Sequence, residues 1–192
     1  MADTASHPVL YLLGSAAPPV LGVGPVIGRA RAAGWDVVLG LTPTAASWLG
    51  GEVARLEALT GHLVKSRYRR PGEPDVLPPA DAVLFAPATF NSVNCLALGL
   101  TSSWVAGYTA EAVGKGLPVC VVPCVNPALA GHPQYGRSVA ALRGAGVDVL
   151  LDADRPGVDD RGDEGPPDFP WDAALARLGR ASALRAAGPD LG

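Results

Sequence analysis

Three segments of the chain share one punctuation: "RAAGWDVVLGLT" (Arg31–Thr42), "VGKGLPVCVVPC" (Val113–Cys124) and "RGAGVDVLLDAD" (Arg143–Asp154). Each closes a helical pattern on a glycine, Gly34, Gly116 or Gly146, where a helix C-terminus favours positive φ. Each then enters a β-branched, apolar run without polar alternation, the pattern of parallel strands covered on both faces. "VLYLLG" (Val9–Gly14) and "AVLFAP" (Ala82–Pro87) supply two more such runs, and Pro87 is expected to close the second. Helical patterns fall between them, over Pro25–Ala33, Thr44–Leu59, Asn91–Leu100, Trp104–Val113 and Gln134–Arg143, with Trp171–Arg185 closing the chain. "HLVKSRY" (His62–Tyr68) reads as a sixth strand. Alternating strands and helices predict an α/β fold, a three-layer open parallel sheet with helices on both faces and right-handed crossovers.

The 192 residues suit one domain, with a core over residues 8–151, an acidic Gly/Pro-rich loop at 152–170 and a last helix at 171–186. That loop reads either as plain surface or as a lid over a substrate. A formal charge of −3 gives no electrostatic reason to expect nucleic acid or an anionic membrane. Between Asp81 and Glu111 no side chain carries a formal charge, and Pro8–Gly28 is equally neutral. Neither is expected to span a membrane: the first carries Pro87, Asn91, Ser92, Asn94, Ser102 and Ser103, the second several prolines and glycines. "MADTASHP" lacks the basic start of a secretory signal, so a cytoplasmic protein is expected. Cys95, Cys120 and Cys124 then read as three buried, reduced thiols; no histidine at ligand spacing makes a metal site of the last two.

In open α/β sheets ligands bind beyond the carboxyl ends of the strands. Here those ends are "GSAAPP", "LTPTA", "PATFNS" and "PCVNPAL". "GVGPVIG" (Gly22–Gly28) is one residue too long for a dinucleotide fingerprint, and the second strand ends in Leu41 and Thr42 rather than a ribose-binding acid, which disfavours NAD. Gly14 and Ser15 allow close backbone approach, and Thr42 and Thr44 offer hydroxyls at a helix start, either for a phosphate or as ordinary caps. Thr89, Asn91 and Ser92 place hydroxyl and amide groups after Pro87 and Ala88, suited to a planar heterocycle with alternating donors and acceptors, although Asn91 also fits a plain N-cap. Lys65, Arg67, Arg69 and Arg70 form a basic set, with the first three on one face of a strand. They read as an anion clamp or as a charged edge that deters other strands.

These segments resemble the homo-oligomeric flavin-containing cysteine decarboxylases, the family of phosphopantothenoylcysteine decarboxylase and the peptidyl-cysteine decarboxylases. "PATFNS" (Pro87–Ser92) is similar to that family's Pro-Ala-Ser-Ala-Asn-Thr motif, "NCLALGLTSS" to its following helix, and "PCVNPALAGHP" (Pro123–Pro133) to its Pro-x-Met-Asn-x-x-Met-Trp-x-x-Pro motif. The similarity covers roughly Val9–Leu151. It implies a flavodoxin-like fold, FMN as cofactor, and homotrimers that can assemble into dodecamers, with the uncharged run buried against neighbouring subunits. Gly14, Ser15, Thr42, Thr44, Pro87, Ala88, Thr89, Asn91, Ser92, Ser102 and Ser103 would then hold the cofactor. Asn91, Pro123 and Asn126 would meet the substrate, and Asn126 would hold its carboxylate.

The reaction the resemblance implies is oxidation of a cysteine thiol by FMN to a thioaldehyde, which loses CO2 to leave an enethiol. The substrate is a cysteine-containing small molecule or the C-terminal cysteine of a peptide. This sequence departs from the family at the stretch that carries its catalytic histidine: "EPDVLPPAD" has Glu73 and Pro74 there. Ser102 and Ser103 replace an Asp-Asn pair, Cys124 and Val125 replace the residues before Asn126, and the family's substrate clamp is absent. His62, the nearest upstream histidine, reads as structural. An FMN-binding partner or regulatory protein without the chemistry is therefore the alternative, and a flavin prenyltransferase is a second.

Overall fold

The computed structural model describes residues 7–151 and 169–187. Its order is β1 (Val9–Gly14), a 3-10 turn at Pro18–Gly22, α1 (Val23–Ala32), β2 (Asp36–Leu41), α2 (Pro43–Trp48), α3 (Val53–Thr60), β3 (Ala82–Ala88), α4 (Phe90–Ala97) and α5 (Trp104–Gly114). There follow β4 (Val119–Pro123), α6 (Pro127–Ala130), α7 (Pro133–Gly144), β5 (Asp148–Val149) and α8 (Trp171–Ala187). All five strands are parallel, in the order β2-β1-β3-β4-β5. This is the three-layer, flavodoxin-like sheet expected, and its strand order reverses between β1 and β3.

Side chains alternate across each strand, so the sheet feeds two cores. Leu10, Leu12, Leu39 and Leu84 pack under α1, α3 and α8, with Ile27, Leu56 and Leu178 from those helices. Tyr11, Leu13, Val83 and Phe85 face α4, α5 and α7, with Val93, Val105 and Leu142 opposite. The three helix-to-strand glycines have φ of 92° (Gly34), 64° (Gly116) and 83° (Gly146), a region costly for any side chain. They act as expected.

Several expectations need correction. The segment after His62 is no strand: only Lys65 bridges, to Gly40, extending the β2 edge by one residue. Lys65, Arg67 and Arg69 therefore share no strand face. Arg69 instead pairs with Asp75 (3.4 Å) and donates to the Glu73 carbonyl (2.6 Å). The helix expected over Thr44–Leu59 is two, α2 and α3, broken at Gly50-Gly51. β3 passes through Pro87 to Ala88, which pairs with Pro123 after a register shift. Pro87 has no N–H for the ladder, but its carbonyl accepts from Ser15 N (2.9 Å). Most of the acidic 152–170 loop lies outside the described residues, and α8 fits the predicted last helix. No helix of the described residues is long and apolar enough to cross a membrane.

Two of the three cysteines are buried, and Cys95 is half-exposed on α4. Burial pushes the Cys120 thiol up to about 12, with nearby Asp148 adding to it, and burial pushes Cys124 up to about 11. The thiolate is the reactive form. Native protein at pH 8 should thus give one fast equivalent with a disulfide reagent, from Cys95, and the other two only after unfolding. Fast reaction of all three would contradict this burial.

Candidate functional site

The connections after β1, β2, β3 and β4 meet at the carboxyl edge of the sheet. Backbone bonds tie them together: Thr42 N to the Gly14 carbonyl (2.9 Å), Ser15 N to the Pro87 carbonyl (2.9 Å) and Cys124 N to the Ala88 carbonyl (2.8 Å). A Cβ on Gly14 would lie 3.0 Å from Val20 Cγ2 and 3.3 Å from Leu41 Cδ2, so the chain turns tightly here because position 14 is glycine.

Across the switch point runs a chain of hydroxyls. Ser15 Oγ lies 2.7 Å from Ser92 Oγ, which lies 3.0 Å from Thr89 Oγ1; either partner in each pair can donate. Ser15 and Ser92 are buried. The fold thus brings together residues 77 positions apart. Thr89, not Asn91, is the N-cap of α4, accepting from Ser92 N (3.4 Å). Asn91 sits on the exposed first turn of α4, its Oδ1 3.7 Å from Cys95 Sγ, and Ser102 Oγ is 3.9 Å from the same sulfur. Asn91 and Ser102 therefore flank α4 together, on a different side from the Ser15–Ser92–Thr89 chain.

Three of the remaining predicted residues, Thr42, Ser103 and Asn126, are also caps. Thr42 accepts from Ala45 N (3.3 Å) to start α2, whereas Thr44 is exposed on its first turn. Ser103 accepts from Ala106 N (3.3 Å) to start α5, and its carbonyl faces the Tyr68 hydroxyl at 3.1 Å. Asn126 Oδ1 accepts from Leu129 N (2.8 Å) to start α6, and Pro123 pairs with Ala88 beside it. Each such bond satisfies an orphan donor of a helix's first turn.

Sequence reasoning overlooked His132, the N-cap of α7, whose Nδ1 accepts from Gln134 N (3.1 Å). Its ring meets Phe90, the residue after Thr89, edge to face at 5.6 Å. The signal was present as a capping-competent residue before Pro133 at the first helical position. The nearest upstream histidine is committed elsewhere: His62 Nε2 is 2.9 Å from Asp36 Oδ1, at the amino end of β2. Glu73 accepts from Arg70 N (3.0 Å) on the exposed linker.

No Asp, Glu, Lys or Arg falls within residues 8–28, 37–51, 82–110 or 116–136, so all four connections at this edge lack a formal charge. Their hydroxyl, amide and backbone groups fit a neutral planar ring that both donates and accepts. A cavity of about 620 Å³ lies elsewhere, between the side of α5 and the 65–80 segment; Tyr11, Trp104 and Tyr108 line it with Lys65, Arg69 and Lys115. Gly14, Ser15, Thr42, Thr89, Ser92 and Asn126 do not line it, so it is not the cofactor candidate.

The model of the Flavoprotein family matches residues 28–169. The chain belongs to that family. Among solved structures, it is similar to the FMN-dependent cysteine decarboxylase TvaF from thioviridamide biosynthesis, with 21% identity, 92% of this chain and 99% of that chain covered, and a TM-score of 0.72. It is also similar to the cypemycin decarboxylase CypD (17% identity, 95% and 98% covered, TM-score 0.69). A third, AnUbiX in complex with FMN and dimethylallyl pyrophosphate, shares 12% identity over 93% of each chain at a TM-score of 0.66. No sequence among the curated proteins matches the chain.

Proposed function

We propose that this chain is an FMN enzyme that oxidatively decarboxylates a cysteine-containing small molecule or the C-terminal cysteine of a peptide. The observation that carries the reading is the uncharged carboxyl edge, where Ser15, Ser92 and Thr89 form one hydroxyl chain beside the Asn126 cap. The ring would lie against Pro87, Ala88, Thr89 and Asn91, and the phosphate would rest on backbone N–H groups and hydroxyls near Gly14, Thr42 and Thr44. Ser102 and Ser103 would close the far side. Bound FMN supplies a two-electron acceptor for thiol oxidation. The chain's own part is positional: the Asn126 amide, oriented by its cap, donates Nδ2–H to the substrate carboxylate next to Pro123 and Asn91.

TvaF and CypD, by the names they carry, are decarboxylases, and their fold is the fold of this chain. The prenyltransferase reading draws on the AnUbiX complex. It is disfavoured because "PATFNS" and "PCVNPALAGHP", with Asn91 and Asn126, resemble the decarboxylase motifs more closely. The partner-protein reading keeps one specific support, the Glu73-Pro74 pair where a histidine was expected. Exposed Leu98 and Leu100, just past α4, are the apolar surface that a homotrimer or dodecamer would cover. A cytoplasmic setting would keep the three thiols reduced.

Native mass spectrometry of protein equilibrated with FMN should show one flavin per chain and report the subunit number. Anaerobic mixing with a cysteine-terminated peptide or phosphopantothenoylcysteine should then bleach the flavin and release CO2. A chain that takes up no flavin sinks every reading above. Flavin bound without CO2 across a substrate panel leaves the partner protein.

A further inference from the structure

We propose that His132 is a second substrate-binding residue, its Nε2–H completing with Asn126 a neutral, two-armed clamp for the substrate carboxylate. The inference rests on the functional reading above and adds a residue to its site. Asn126 and His132 cap consecutive helices in one connection, α6 and α7, and each spends its acceptor atom inside the protein. Asn126 Oδ1 takes the Leu129 N–H (2.8 Å), which leaves Nδ2 as donor; His132 Nδ1 takes the Gln134 N–H (3.1 Å), which puts the ring proton on Nε2. No described residue accepts from either donor. What remains on each side chain is N–H donor capacity, the kind of group a carboxylate oxygen accepts from.

The imidazole is held in place from two sides. Phe90 meets it edge to face (5.6 Å, 78°), so the ring stands between the β3–α4 and β4–α7 connections, next to Thr89. Behind it, Gln134 Nε2 donates to Ser138 Oγ (3.0 Å), which donates to Asn94 Oδ1 (2.7 Å), locking α7 onto α4. Yet the ring is exposed, as a group that meets substrate must be. Among the described residues the other histidines lie at the opposite end of the sheet, His7 before β1 and His62 on Asp36. Neutral donors also suit the chemistry. A carboxylate that departs as CO2 gives up its negative charge, and an arginine partner would stabilise that charge most in the ground state. Amide and imidazole N–H groups orient the carboxylate with a smaller penalty of that kind.

The test uses the full chain loaded with FMN and two probes, N-acetyl-S-methylcysteine and its carboxamide, whose thioether sulfur carries no proton to lose. Calorimetric titration of the wild type should show preference for the acid. His132→Asp keeps a capping acceptor but sets a negative charge where the carboxylate belongs. Its affinity for the acid should fall about tenfold or more, with the amide changed by less than about twofold. His132→Asn, which retains both a capping oxygen and a donor, should keep most of the preference. Equal weakening of acid and amide in His132→Asp would reduce His132 to a structural cap and overturn the clamp. So would a wild type without acid preference, whether it binds both probes or neither. CO2 release from a cysteine-terminated peptide, read separately, keeps the two claims apart. Acid preference without CO2 removes the decarboxylase and leaves the clamp, whereas CO2 release with an unaltered preference in His132→Asp removes the clamp alone.

Discussion

Asn126→Asp should give a folded, flavin-loaded protein whose turnover of a cysteine-terminated peptide falls by about two orders of magnitude or more. The substitution is chosen for what it preserves. Position 126 caps α6 through a side-chain oxygen that accepts the Leu129 N–H at 2.8 Å, and aspartate caps as well as asparagine. What changes is the other end of the side chain, where Nδ2 becomes a carboxylate oxygen. A charge-assisted hydrogen bond, about 1.5–3 kcal/mol, is lost, and like-charge repulsion against the substrate carboxylate adds to it. Together about 3 kcal/mol corresponds to the hundredfold rate loss. Asn126→Ala makes a useful comparison, since it also forfeits the cap, a cost of about 1 kcal/mol in stability. Steady-state CO2 release, flavin content and a thermal melt, measured side by side, decide it. Loss of flavin in Asn126→Asp would mean the residue serves the cofactor; turnover within about tenfold of wild type would mean it does not hold the carboxylate.

What was legible in the sequence was local. The glycine before each of β2, β4 and β5 could be read because positive φ is imposed by the helix end itself, and Gly34, Gly116 and Gly146 all adopt it. A capping hydroxyl at the start of the next helix was also legible locally, with Thr42 and Thr44 both on offer; Thr42 takes the role. The misplaced strand at His62–Tyr68 was decided elsewhere in the chain. The Tyr68 hydroxyl lies 2.9 Å from the Thr101 carbonyl and 3.1 Å from that of Ser103, and it packs on Gly107, drawing this segment over α5 and off the sheet edge after Lys65. The break between α2 and α3 is coded locally by Gly50-Gly51. At the site, Thr89 and Asn91 are both good capping types, and the one-residue extension of β3 to Ala88 chose between them. The Ser15–Ser92 contact is a tertiary fact, and so is the Phe90 ring against His132; within "AGHPQY" the sequence offers only a residue before a helix-starting proline.

The same dependence of the site on distant packing makes Gly40→Val the substitution expected to cost the most stability. Gly40 is buried in β2, one residue before its end, and a Cβ there would lie 2.5 Å from both Leu13 Cδ2 and Trp104 Cζ3. The indole thus fills the space a side chain would need. Trp104 is the first residue of α5, immediately after Ser103, and packs at 5.3 Å from Tyr108, itself stacked at 4.2 Å on Tyr11. A valine must push Leu13 into a closed core or lift the indole and with it the start of α5. Overpacking of this kind costs typically 1–3 kcal/mol, and with two contacts this short about 3 kcal/mol is expected. In a chain of this length that lowers the melting temperature by about 6–12 °C. Because Ser102 and Ser103 ride on the displaced helix start, flavin affinity should fall with stability, and Trp104→Leu should recover more than about 1 kcal/mol in the Gly40→Val background. Urea melts of the four proteins in that double-mutant cycle supply the measurement. Additive effects of the two substitutions would show that the indole is not what the new side chain meets, and an unchanged flavin affinity in Gly40→Val would detach the start of α5 from the cofactor site.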